Sequence, residues 1–103
     1  MPACDIVTKE QTKTRVNVTE PSLYNVIYMN DEVTTVEFVV ESMIVIFQIS
    51  TEIAIELTQQ VHEDGSAVVA LLPYELAEQK GVEVTMLARN NGFPLMIRLE
   101  KAE

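Results

Sequence analysis

From residue 36 to residue 47 the apolar side chains include Val36, Val39, Val40, Met43, Ile44 and Phe47, spaced three, one, three, one and three apart. That spacing lines one face of a helix and predicts one over about residues 35–47. Thr34 and Glu37 match the capping-box pattern ahead of it. Val, Ile and Phe are mediocre helix formers, so packing must hold this helix. Ser50 or Thr51 is expected to cap a second helix, with Ile53, Ala54, Leu57 and Val61 inside and Glu52, Glu56, Gln59, Gln60 and Glu63 outside. Gly65 is expected to stop it in a left-handed turn. The β-branched and aromatic run around Val26, Ile27 and Tyr28 predicts a strand over about 23–29. Ala67–Leu72 is continuously apolar and reads as a buried central strand. Pro73 suits the first turn of a third helix reaching about residue 89, with Leu76, Ala77, Val84, Leu87 and Ala88 buried. Asn90-Asn91-Gly92 and Pro94 end it. Leu95, Ile97 and Leu99 alternate with Met96, Arg98 and Glu100 as a half-buried strand. The order β-α-α-β-α-β predicts an α+β fold, three helices on one face of a three-stranded antiparallel sheet.

The elements start only after residue 20. Residues 1–20, with the polar run Thr8–Thr14 and no apolar period, read as a flexible tail closed by Pro21 and Ser22. Residues 21–103 are then one domain, large enough for a modest core. The longest apolar stretch is interrupted at Glu41 and Ser42 and is too short to cross a bilayer. No secretory leader pattern opens the chain, which points to the cytoplasm.

Charge and residue chemistry narrow the function. Sixteen acidic residues against seven basic give a net charge of −9, which argues against nucleic acid as a partner. It suits a cationic one, although acid also serves solubility. The single cysteine, Cys4, excludes an internal disulfide, sits in the tail and reads as an incidental thiol. With one histidine, His62, there are too few ligands for a Cys/His zinc site, and no cofactor loop is present. The polar break Asn30-Asp31-Glu32, between a strand and a helix, offers an amide and two carboxylates without a base, thiol or glycine cradle. That chemistry grips a cation better than it catalyses. Each feature also has a plain alternative: Asn30 and Asp31 as turn residues bonding their own backbone, His62 as a surface residue at a helix end, the acidic helix face as merely solvated.

Taken together, PSLYNVIYMNDEVTTVEFV, VHEDGSAVVALLPYELAEQK and ARNNGFPLMIRLEKA resemble the ClpS family over about residues 21–102. These are adaptors of the Clp protease that recognise N-end-rule substrates. The resemblance rests on five ordered motifs: Asn-Asp-(Asp/Glu)-x-(Ser/Thr), Glu-Phe-Val, Val-His-x-x-Gly, Ala-Glu-x-Lys and Pro-Leu-x-x-x-Leu-Glu. It implies the same β-α-α-β-α-β fold and no enzymatic activity, cofactor, metal, nucleic acid or membrane. It implies that Asn30, Asp31 and His62 hold the free α-amino group of an N-degron. It implies that Thr34, Val36, Val39, Thr58, Val61 and Leu95 line a pocket for a first residue such as Leu, Phe, Tyr or Trp. It implies that Glu75 and Lys80 dock on the N-terminal domain of a Clp-family AAA+ unfoldase, whose pore the tail engages.

The chemistry of the carried-over residues agrees. An α-ammonium has three donors and a charge, which Asp31 and Asn30 can accept; an internal amide has one donor and none. The chain departs from many relatives at Glu32, where they have Asp, at Thr35-Val36, where they have Pro-Met, and at Thr58, where they have Met. Smaller Val36 and Thr58 imply a wider pocket entrance. The rival readings are an interaction domain that docks on an ATPase or other partner without reading termini, and an enzyme using Asp31, Glu32 and His62 as acid-base groups. The second lacks any nucleophile, metal set or cofactor loop.

Overall fold

Chain pairing, more than local propensity, sets the frame. The computed structural model describes residues 22–102. The tail and its Cys4 lie outside them. β1 (Leu23–Met29), α1 (Val36–Phe47), α2 (Thr51–Asp64), β2 (Ser66–Pro73), α3 (Tyr74–Asn90) and β3 (Met96–Lys101) follow in the order expected. The sheet order is β2-β1-β3, with both pairings antiparallel. β1 is therefore the central strand, and Ala67–Leu72, expected at the centre, forms an edge. The continuous apolar run misleads because β2 carries a bulge: Val26 pairs with Ala70 and Ile27 with Val68, so Val69 is skipped. The extra residue breaks the two-residue alternation that would have marked a one-sided strand. Val68 and Leu71 point away from the helices and are about half exposed.

The helix-facing side of the sheet carries Tyr28, Ala67 and Ile97, which meet Phe38, Val39, Met43, Ile46, Ala54, Val61, Val84 and Ala88 in one core. One polar link crosses it. Tyr28 Oη bonds Ser42 Oγ at 2.7 Å, and Ser42 in turn donates to Val39 O at 2.9 Å. Burial pushes the Tyr28 phenol up to about 12, an effect the Ser42 bond partly offsets. Gly81 is buried where α3 crosses β3; a Cβ there would meet Ile97 Cγ2 at 3.5 Å.

The caps refine the expected helix boundaries. Thr35, not Thr34, caps α1 by accepting from the Phe38 amide at 3.2 Å. Thr34 is occupied by the turn before it. Two adjacent threonines satisfy the cap rule about equally, and the turn decides between them. Ser50 caps α2, and Gly65 ends it at φ 92°. Pro73 is the residue before α3 rather than inside its first turn. Two expected core residues are outside: Ile53 is 46% exposed and Leu76 38%. In α2 the buried face includes Thr58 instead of Ile53, a polar residue no apolar pattern would select. At the end of α1, Gln48 adopts φ 58° and the Ile49 amide reaches back to Met43 O, while Lys80 Nζ donates to Ile46 O at 3.0 Å.

Candidate functional site

The site forms where two chain segments turn at the same end of the molecule. The Asn30 amide donates to Gly65 O at 2.9 Å, extending the β1–β2 ladder by one step past Met29–Ser66. That bond seats the end of β1 against the end of α2, and so brings Asn30 and Asp31 to His62. Between them lies a cavity of about 310 Å³ lined by Asn30, Asp31, Glu32, Thr34, Val36, Val39, Thr58, Val61 and His62. Eight of the nine residues expected at the amine site and pocket line it. Leu95 does not: it is 1% exposed and packed in the core. Glu32 joins the wall; it stands next to Asp31, which is the only sequence signal it carried.

Asp31 is the best-organised group in the cavity. Its Oδ1 accepts from the amides of Val33 (2.8 Å) and Thr34 (2.7 Å), and its Oδ2 from Thr34 Oγ1 (2.7 Å). It is thus a turn residue bonding its own backbone, and a wall residue as well. Partial burial, the largest single influence, works against ionisation. The Thr34 amide and hydroxyl, the Val33 amide and the charge of Arg89 together outweigh it and hold the carboxyl below the ordinary aspartate value. A carboxylate offers about four acceptor positions, and three are taken. The remaining one is on Oδ2. The side chains of Asn30 and His62 are exposed at the rim.

The deeper wall is apolar despite its two threonines. Thr58 Oγ1 donates to Ala54 O at 2.7 Å, with Met43 Sδ at 3.9 Å behind it. Its hydroxyl is spent on its own helix, so Thr58 offers the cavity an apolar surface 5% exposed. Val39 and Val61 are buried beside it, and Val36 stands at the edge, 57% exposed. Among the described residues no three His, Cys, Asp or Glu side chains are grouped to hold a metal. No helix among them is long and apolar enough to cross a membrane.

Glu75 and Lys80 lie apart from the cavity on α3. Glu75 is exposed. Lys80 is only part exposed, and its ammonium is committed to the end of α1.

The model of the ATP-dependent Clp protease adaptor protein ClpS matches residues 19–98. The chain belongs to the ClpS family. It is 38% identical over 94 residues to the ClpS adapter of Nautilia profundicola, covering 91% of this chain and 97% of that one. It is 42% identical over 94 residues to the ClpS adapter of Sodalis glossinidius, with 91% and 87% covered. Its fold is similar to that of Agrobacterium tumefaciens ClpS2 bound to L-phenylalaninamide, at TM-score 0.78 and 36% identity over 81% of this chain and all of that one. The expected β-α-α-β-α-β architecture is the ClpS fold. As a ClpS protein the chain is an adaptor of the Clp protease, not an enzyme.

Proposed function

We propose that the cavity at Asn30, Asp31 and His62 reads the free N-terminal residue of N-degron substrates, and that the chain delivers them in the cytoplasm to a Clp-family AAA+ unfoldase. The observation that carries this reading is the convergence at one cavity of an ionised, turn-fixed Asp31, two exposed polar side chains and an apolar wall. The open Oδ2 position of Asp31 accepts from the ammonium; Asn30 and His62 accept from or donate to the first peptide unit. The wall takes the first side chain, Leu, Phe, Tyr or Trp, and burying one contributes roughly 1.5–3 kcal/mol. The ligand of the Agrobacterium relative has the matching chemistry, a free amine next to an aromatic side chain and an amide.

Titration of a Leu-starting peptide against its N-acetylated twin tests the reading. The free peptide should bind and the acetylated one should not. Equal binding of the two would leave an interaction domain that ignores termini. Delivery is assigned to the exposed surface around Glu75. Glu75→Lys should abolish degradation by the unfoldase–protease while peptide affinity stays unchanged. Lys80 belongs to the same surface, but its bond to Ile46 O makes its substitution a test of stability as well.

A further inference from the structure

One side chain ties the last turn of α3 to the segment after it. Arg89 Nη1 donates to Phe93 O at 2.9 Å and to Leu95 O at 3.0 Å. The Phe93 amide returns to Ala88 O at 2.9 Å, which fixes the turn between them. The Phe93 ring packs on Phe38 with centroids 5.1 Å apart. Phe38 is the residue whose amide is capped by Thr35, and Thr35 follows Thr34, which holds Asp31 by both its amide and its hydroxyl. A run of consecutive contacts therefore leads from the guanidinium to the carboxylate that faces the cavity.

The charge of Arg89 reaches Asp31, yet the two are not paired. Among the described residues the ion pair is Arg98–Glu100. An unrestrained arginine near an aspartate tends to close a two-pronged ion pair. Here one guanidinium nitrogen, Nη1, is engaged by two carbonyls, and none comes within ion-pair distance of Asp31. We propose that Arg89 is a positioning residue for the amine site: bonded to Phe93 and Leu95, its guanidinium fixes the segment that backs the start of α1 and keeps a positive charge near Asp31 without filling the open acceptor. The charged or titratable groups that share the cavity with Asp31 are Glu32 from its own loop and His62 from α2, and the charge of Arg89 reaches it from α3. This inference rests on the amine-site reading for its purpose, but its test needs no peptide.

The test is an NMR titration of the Asp31 carboxyl in the full chain, as wild type, Arg89→Gln and Arg89→Lys. Gln keeps a donor and removes the charge; Lys keeps the charge and removes the planar fork. The midpoint should move up in Arg89→Gln and stay near wild type in Arg89→Lys. A merely structural arginine would lower the melting temperature in both and leave the midpoint alone, so an unmoved midpoint in folded Arg89→Gln overturns the proposal. Should Arg89→Gln not fold, Arg89→Lys decides by amide exchange. Faster exchange at Phe93 supports the tie to the segment, and wild-type protection there overturns it. Peptide binding separates the two readings. If wild type fails to bind the Leu-starting peptide, the amine site is wrong while the titration result stands. If it binds and the midpoint does not move, Arg89 alone is misassigned.

Discussion

Two of the hollows formed by the described residues are of similar size, and one of this pair has the makings of a site. The cavity at Asn30–His62 holds about 310 Å³, and the groove between α3 and β3 holds about 260 Å³. The groove is lined by Gly81, Val82, Met86, Ile97 and Leu99, with Glu78 and Thr85 its polar members. Glu78 accepts from Tyr74 Oη. The cavity has six polar or charged side chains, Asn30, Asp31, Glu32, Thr34, Thr58 and His62, from two chain segments, one of them fixed by three hydrogen bonds. The difference follows from what makes each wall. The groove is the flank between a helix and an edge strand, and its lining is mostly apolar side chains of one helix and one strand. The cavity lies where a strand and a helix both end, and ends leave polar groups free to converge. Volume is common; convergent, pre-oriented polar chemistry is not.

The largest expected effect tests that orientation. Asp31→Ala should weaken a Leu-starting peptide by about 2–5 kcal/mol, the range for breaking a buried charge pair. Asp31→Asn keeps Oδ1 as acceptor for the Val33 and Thr34 amides but replaces Oδ2, its charge and its open acceptor position, by an amide NH2. If it binds like wild type, the turn and not the charge makes the site. Calorimetry on both variants decides. The pH profile adds a sign. The Asp31 carboxyl is depressed in the folded chain, so its charge is present at and above the ordinary aspartate range and is lost as pH falls through the lowered value. Affinity should hold through the mildly acidic range, and it should decline above about 7.7–8.0 as the peptide amine deprotonates. A profile that falls from pH 7 toward 5 would contradict this.

Smaller effects probe the wall. Val36→Met should narrow the entrance and raise discrimination against Ile and Val relative to Leu by about 1–3 kcal/mol, read as affinity ratios. Unchanged ratios would assign the gate to the Thr34-Thr35 backbone. Thr58→Val removes a hydroxyl that already points into its own helix. Peptide affinity should not change, while melting should show a loss of about 1 kcal/mol for the bond to Ala54 O. A drop in affinity would mean that the hydroxyl faces the ligand. The smallest effect belongs to the groove. Met86→Ser, at a residue 60% exposed, should leave peptide affinity unchanged and stability within about 0.5 kcal/mol. Lost peptide binding there would erase the contrast between the two hollows.

The sequence by itself determined the elements and most of the residues that line the cavity. Periodicity placed three helices and three strands within a few residues, because i to i+4 spacing on a helix and alternation on a strand are local consequences of backbone geometry. Residue chemistry drew attention to the Asn30-Asp31 loop but left Asn30, Asp31 and His62 with plain alternatives; the family motifs assigned all nine site residues, eight of which the structure gathers at one cavity. Tertiary structure alone decided the rest. It made β1 the centre and β2 an edge, since pairing joins residues about forty or more apart and the bulge at Val69 hides the alternation. It gave the α1 cap to Thr35 because Thr34 was needed by Asp31. It sent Leu95 into the core, tied Lys80 to Ile46 O, and turned the Thr58 hydroxyl to Ala54. In each case a side chain's type was legible in the sequence, but its partner was not, because a hydrogen bond or a packing contact is settled by whichever neighbour the rest of the chain brings within reach.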